Sequence, residues 1–525
     1  MLDMLIVNGW VLDGTGNPGF PADVAIEGDR IAAVGRLPGA TAARVIDARG
    51  KIVCPGFVDC HSHSDRSILA CRQALSSLYQ GVTSEIAGCC GLGVAPISEA
   101  NRRKMEQALC DGCLPKWSSV GEFLERMAEG IGINMGYQVG HNAVRQAAMA
   151  GSLDREPTET EMQQMERLVA EALDAGAIGL SFGLEFMPGR AAGREELRRL
   201  CRVAAERQRM TSWHIRNRDR RFEQAAEEAL TVTRETGAGL QLSHLSAKPG
   251  SSPRAWNRVM EAVRLARAQG QDVQCDMIPY TVGPGSLAAI LPNWATQGTA
   301  EEVQARLRDP QVRQRLVAES DRYWLLFTYR QWDKLTLARC QAHPEWIGMT
   351  LRQIGEAAGR DPFDCVYDLL ADEGEGLGAG VNGTLFSEGD IIEWLADPLF
   401  SIASDGMTLP LEGPVARLAH HPSCYGWTPR VIQTYVRELR TMRLEEAVRK
   451  MTSQPASRYA PDRGLLRAGM MADVIVFDEQ RFRTRATYLA PQAYAEGMEE
   501  VIVNGQLALH GGAPTGVLAG RVLGR

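Results

Sequence analysis

An α/β fold is predicted for this chain: a (β/α)₈ barrel joined to a small β-sandwich made from both termini. Three observations predict it. The two ends read as short strands with tight turns and share a near-repeat, Leu5-Ile-Val-Asn8-Gly9 and Val501-Ile-Val-Asn504-Gly505. The middle alternates strand and helix, the pattern of parallel strands joined by crossover helices. Histidine, cysteine and aspartate fall at the ends of those strands, where barrels of this kind build their sites.

The 525 residues are too many for one ordinary core, so two or more domains are expected. The composition, 45% hydrophobic and 23% charged, is that of a globular protein. A net charge of −7 with acids and bases intermixed gives no electrostatic case for binding nucleic acid or an anionic membrane. No apolar stretch approaches the roughly 20 residues that cross a bilayer. The first residues carry no basic region, so no signal peptide is expected and the cytoplasm is the expected compartment. Twelve cysteines in a chain of this size are not a disulfide framework. Most are expected to be buried small apolar residues.

Taken in order, Leu5 to Leu12 reads as two strands around an Asn8-Gly9 turn, because Asn-Gly tolerates positive φ. Asp23 to Val34 reads as a second hairpin, turning at Gly28. Ala472 to Asp478 is a strand, and Val501 to Leu509 is a hairpin around Asn504-Gly505. Residues 1–56 and 462–525 are therefore expected to form one composite β unit, with the barrel, residues 57–461, inserted into it. Candidate barrel strands end at His63, Ala87, Val139, Phe182, His214, His244, Asp276 and Asp405. Amphipathic helices are predicted at Glu159 to Leu173, Arg194 to Arg207, Phe222 to Glu235 and Arg254 to Ala268. An insertion at about 284–344, after the seventh strand, is expected on the active-site side. Two helices follow, near Arg430 to Arg440 and Leu444 to Met451.

Pro55-Gly-Phe-Val-Asp-Cys-His61-Ser-His63-Ser-Asp65 opens the barrel. Alternate side chains of a strand share a face, so His61 and His63 point the same way. Cys90, His214, His244 and Asp405 complete a set of six donors at strand ends. Imidazole, thiolate and carboxylate together suit a divalent transition metal, most often zinc, whereas magnesium takes oxygen ligands. Six donors exceed the needs of one tetrahedral catalytic zinc. They suit two sites about 3.5–4 Å apart with a bridging ligand, and a cysteine thiolate can bridge. Asp405 is the expected general base for hydrolysis of an amide carbon–nitrogen bond.

These residues resemble the amidohydrolase superfamily and, within it, the D-aminoacylase (N-acyl-D-amino-acid deacylase) family, over nearly the whole length. The marks are Val11-Leu-Asp-Gly-Thr-Gly16, the His61-Ser-His63 stretch, Gly88-Cys-Cys-Gly91, Gly140-His141, Gly179 to Leu184, His214-Ile-Arg216 and Leu242-Ser-His244. Asp276-Met-Ile-Pro-Tyr280, Ser404-Asp-Gly406, Tyr425 to Arg430 and Lys450 to Ala456 complete them. The resemblance implies hydrolysis of N-acyl-D-amino acids to a carboxylate and a D-amino acid. It implies a tightly bound zinc on Cys90, His214 and His244, and a weaker second position facing His61, His63 and Asp405. Departures cluster where substrate is recognised. Phe186 replaces the usual tyrosine, Asn217-Arg218 replace Asp-Glu, and Leu245-Ser246 replace His-Lys, with Lys248 displaced by two.

An N-acyl amino acid presents a carboxylate, and a guanidinium is its natural bidentate partner. Arg216 and Arg430 are the candidates, with Lys248 and Tyr280 in support. A cyclic amidase related to dihydropyrimidinases is the alternative on the same barrel, but its relatives bridge two metals with a lysine after the fourth strand, and none stands there. A non-catalytic scaffold is the remaining alternative; all six donors being present argues against it. The sequence sets no oligomeric state.

Overall fold

The computed structural model describes residues 2–99, 101–102, 105–106, 116–149, 151–319, 325–374, 378–419 and 421–524. Its centre is a barrel of eight parallel strands: Phe57–Asp59, Val82–Ala87, Asn134–Gly140, Gly179–Gly183, Met210–His214, Leu240–Leu242, Val273–Met277 and Phe400–Ile402. They lie side by side in chain order. The first and last meet just beyond their ends. Asp405 N donates to the His61 carbonyl (3.0 Å), and His63 N donates to the Gly406 carbonyl (2.7 Å). The segments that bring the barrel together thus also carry three of the six candidate donors.

Every residue of the second, third and fourth strands is buried, as parallel strands covered on both faces require. The outer helices follow from the sequence pattern. Glu159–Asp174 starts at a capping box between Thr158 and Glu161 and buries Met162, Met165, Val169 and Leu173. Phe222–Thr236 ends at Gly237, whose φ of 74° supplies the left-handed stop. Arg194–Glu206, Ala255–Ala268 and Leu444–Met451 also stand within a residue or two of expectation. The last turns of the Arg430 helix are preceded by a kinked segment from Ser423.

Strands from the two ends of the chain form a single nine-stranded sheet. Ile52–Pro55 pairs with Leu2–Val11 on one side and Val474–Phe477 on the other. Its core includes Ile6, Val24, Ile26, Val53, Val474, Val476 and Ile502. Asn504-Gly505 does make a tight turn between Met498–Val503 and Gln506–His510. Asn8-Gly9 does not. Leu2–Val11 is one strand with a register shift between Ile6 and Gly9, and Asn8 has φ 61°. The positive φ that asparagine tolerates serves a β-bulge here, fixed by a bond from the Asn8 amide to Asp47 (2.9 Å).

The insertion is longer than 284–344. Val282–Ser286, Leu335–Arg339 and Gly380–Thr384 form a separate antiparallel sheet. A core of its own runs from Leu287 through Trp332, Leu351, Phe363 and Leu370 to Val381. Helices Leu351–Ala358 and Pro362–Asp372, which the expected boundary left outside, pack on that core. Among the described residues no helix is long and apolar enough to cross a membrane.

Candidate metal centre and active site

The donors form two sets that share Cys90: His61, His63, Cys90 and Asp405, and Cys90, His214 and His244. Within each set the donor atoms lie within 4.8 Å of one another. The Cys90 sulfur is 3.3 Å from His61 Nε2, 3.4 Å from His214 Nδ1 and 3.3 Å from His244 Nε2. Asp405 Oδ1 is 3.1 Å from His63 Nε2 and 3.4 Å from His61 Nε2. Cys90 is thus the hub, as a bridging ligand must be.

Backbone conformation places three of these donors. Cys90, His244 and Asp405 have φ of 55°, 33° and 48°, in the left-handed region that costs a non-glycine residue about 1–3 kcal/mol. Surrounding bonds hold them there. Gly91 N donates to Ser181 Oγ (3.0 Å), His244 N to Asp276 Oδ1 (2.7 Å), and Gly406 N to Ser404 Oγ (2.8 Å). Gly88, before the two cysteines, has φ 77°, and a Cβ there would meet the Gln138 carbonyl at 2.1 Å. The turn that delivers Cys90 therefore requires glycine.

Buried polar groups orient the imidazoles. Glu185 accepts from His214 Nε2 at 2.6 Å, which leaves the Nδ1 lone pair aimed at Cys90. Asp276 lies 3.3 Å from His61 Nδ1. Arg218 donates to His244 Nδ1 (2.9 Å) and to the His244 carbonyl (3.0 Å). Lys248 Nζ lies 2.8 and 3.0 Å from the two Glu185 oxygens.

The charges are set by this packing. Burial raises the pKa of the Cys90 thiol, but its interactions with His61 and His214 outweigh that and hold it well below its ordinary value. Asp405 is likewise pushed up by burial, yet its bond to His63 and the charge of His61 keep it below the usual carboxylate range. Glu185 is held low against burial by Lys248 and its bond to His214. Burial and the Arg218 charge keep His244 neutral. A thiolate, a carboxylate and imidazoles pointing at one small volume fit a zinc-type cation and do not fit an oxygen-only ion.

Beside this centre is a cavity of about 380 Å³ lined by residues that include His63, Cys90, His214, His244, Lys248 and Asp405. The inserted unit roofs it with Gly283 to Ser286, Ala289 and Arg339.

Of the four expected substrate residues, only Lys248 lines the cavity. Arg216 turns to Glu228 (3.0 Å) and to the carbonyls of Arg190 and Ala192 (2.7 and 3.0 Å). The strand ends at His214, so alternation no longer fixes the direction of Arg216. Arg430 donates to the Pro279 carbonyl and to Glu388, both at 2.6 Å. Its guanidinium stacks over the buried Tyr280 ring, 4.9 Å from the centroid. Arg216, Arg430 and Tyr280 thus lie outside the lining of this cavity, and both guanidiniums are held by protein partners.

Of the residues around the donors and the cavity, sequence reasoning missed Glu185, Arg66 and Arg339, and it met Arg218 only as a departure from the family pattern. Glu185 and Arg218 stand in the segments that depart from the family pattern, and that was a usable signal. Arg66 lies one residue past the metal motif. Arg339 belongs to the insertion and meets the barrel only in three dimensions.

The Amidohydrolase family model matches residues 44–508. The N-acyl-D-glutamate deacylase of Alcaligenes xylosoxydans xylosoxydans is 35% identical over 100% of this chain and 97% of its own length. The D-aminoacylase of the same organism is 31% identical over 100% and 98%. The crystal structure of N-acyl-D-glutamate deacylase from Bordetella bronchiseptica, complexed with zinc and a phosphonate inhibitor that mimics the tetrahedral intermediate, superposes with a TM-score of 0.83 at 31% identity, covering both chains fully. The fold, the two donor sets and these relatives agree: the chain belongs to the amidohydrolase family, in the branch of the N-acyl-D-amino-acid deacylases.

Proposed function

We propose that the protein is a zinc-dependent amide hydrolase that removes the acyl group from N-acyl-D-amino acids, giving a carboxylate and a free D-amino acid. The observation that carries this reading is the hub geometry of Cys90, shared by both donor sets and opening on a cavity. Cys90, His214 and His244 would hold the tighter zinc, and His61, His63 and Asp405 a weaker second divalent metal.

When bound, zinc supplies Lewis acidity, polarising the scissile carbonyl and lowering the pKa of attacking water toward about 7. The chain's own groups do the rest. Asp405, ionised and held by His63, accepts the proton of the water as it adds to the carbonyl carbon. The same carboxyl then returns that proton to the amide nitrogen as the carbon–nitrogen bond breaks. Glu185 fixes the His214 ring, and Asp276 fixes the position of His244 through its backbone. The roof from the inserted unit limits water around the reacting amide.

The fourth barrel strand, Gly179–Gly183, carries no lysine, and Cys90, common to both donor sets, would serve as the bridge instead. That disfavours a cyclic amidase. None of the ten described cysteines is in a disulfide, as a reducing compartment such as the cytoplasm would keep them. A panel of N-acetyl-D- and N-acetyl-L-amino acids, hydantoin and dihydrouracil tests the reading. Free amine from the D-series alone is expected, and turnover confined to the cyclic substrates would refute it.

A further inference from the structure

The turn that carries the hub cysteine is held by a neighbouring strand. Gly88, Cys90 and Gly91 all have positive φ, 77°, 55° and 70°. The glycines take that conformation freely and the cysteine does not, so the place of the Cys90 sulfur depends on bonds from outside the turn. Two segments supply them. Asn142 N, just past the third barrel strand, donates to the Gly91 carbonyl at 3.1 Å. Ser181, on the fourth strand, grips both ends of the turn with one hydroxyl. Its Oγ donates to the Gly88 carbonyl and accepts from Gly91 N at 3.0 Å. A serine hydroxyl has a single proton to give, so the two bonds together fix its direction.

The fourth strand is shaped around this contact. Leu180 and Phe182 belong to the main core, and Phe182 packs on the rings of His141 and Trp213. Alternation puts Gly179, Ser181 and Gly183 on the opposite face. The Cys90 carbonyl lies so close over Gly183 that a Cβ there would meet it at 1.8 Å. On that face only Ser181, the residue bonded to the turn, carries a side chain. Ser212, its partner on the fifth strand, is buried as well, but its hydroxyl bonds to no protein group. Two serines of one layer thus differ in a single respect, the grip on the turn.

Resting on the reading of Cys90 as the bridge between two metal positions, we propose that Ser181 is the positioning residue of that thiolate. It touches neither donor set and acts through Cys90. With the hydroxyl in place the sulfur stands where both sets meet. Without it the turn relaxes and the sulfur shifts away from that point. The strand that offers no lysine as a bridge supplies the group that holds the bridge.

The test measures two properties of the full chain: zinc affinity by competition with a chelator, and the near-ultraviolet thiolate-to-cobalt absorption after loading with cobalt(II). Wild type is compared with Ser181→Ala, Ser181→Thr and Ser212→Ala, each checked for folding by circular dichroism. Ser181→Ala is expected to lower zinc affinity about 10- to 100-fold, the effect of losing a group that orients a ligand, and to weaken the cobalt–thiolate band at equal occupancy. Ser181→Thr keeps the hydroxyl, and Ser212→Ala removes one that makes no bond, so both are expected to stay within about threefold of wild type with the band unchanged. A Ser181→Ala affinity within that range, or losses as large in Ser181→Thr or in Ser212→Ala, overturn the proposal. If Ser181→Ala does not fold, Ser181→Thr decides: near-normal affinity with an unchanged band supports the role of the hydroxyl, and a loss of about tenfold overturns it. A wild type that takes up no zinc overturns the metal-centre reading itself, a result distinct from equal affinities.

Discussion

Glu185→Gln is the most informative single change in the site. Glu185 is 3% exposed and sits among His214 (2.6 Å), Lys248 (2.8 and 3.0 Å) and Arg218 (3.5 Å). Glutamine keeps the volume and removes the charge. Lys248, itself 4% exposed, then loses the carboxylate that matches it, and breaking a buried pair from one side costs about 3–5 kcal/mol. The same carboxylate fixes the His214 tautomer, and loss of such a partner lowers metal affinity by about 10- to 100-fold. Urea unfolding of the zinc-free protein measures the first effect, and competition with a chromophoric chelator measures the second. The pair can be isolated with Glu185→Gln/Lys248→Met, which removes both charges and is expected to recover part of the lost stability. A loss under about 1 kcal/mol together with unchanged zinc affinity would mean that Glu185 neither balances Lys248 nor orients His214, against the magnitudes expected for a buried pair and a ligand-orienting carboxylate.

Three further outcomes are expected. Asp405→Asn lowers kcat by about 10²–10⁴-fold, the usual worth of a general base, while metal analysis still finds the tighter zinc on Cys90, His214 and His244. Cys90→Ala removes the atom common to both donor sets, so mass spectrometry should find less than stoichiometric zinc, with the fold retained by circular dichroism. Lys450, whose Nζ donates to the carbonyls of Asp397 (2.6 Å) and Phe400 (3.0 Å), is brought by burial to about 8. Its folded pKa lies below the unfolded one, so between about pH 8 and 10 the unfolded chain holds more protons and stability rises with pH. Relative to Lys450→Met, the wild type should gain about 1.4 kcal/mol per pH unit in that window, read from urea midpoints.

The candidate donor set was legible because strand alternation and barrel topology are local rules. His61 and His63 share a face by period two, and parallel strands bring Cys90, His214, His244 and Asp405 to one rim whatever the helices between them do. The terminal strands were legible from composition, but the use of Asn8 was not. A positive φ serves a bulge as well as a hairpin, and only the pairing of Leu2–Val11 with Phe20–Glu27 distinguishes them. The recognition side was hidden for a related reason. Beyond His214 the strand has ended, so spacing does not tell Arg216 from Arg218, and the fold turns the first to Glu228 and the second to His244. Arg339 carries no signal, because its approach to the cavity depends on how a separate core docks on the barrel. Glu185 and Arg218 looked like departures from a family pattern. Together with Lys248 they form one buried charge cluster around two of the candidate donors.

The central claim is that hydrolysis needs a cation at the Cys90 hub. Activity on an N-acetyl-D-amino acid, followed as zinc is returned to the chelator-stripped protein, tests it most directly. The account predicts no turnover without metal and full activity near one equivalent of zinc, with Cys90→Ala staying inactive throughout. Undiminished turnover in the stripped protein, or full recovery in Cys90→Ala, would contradict it.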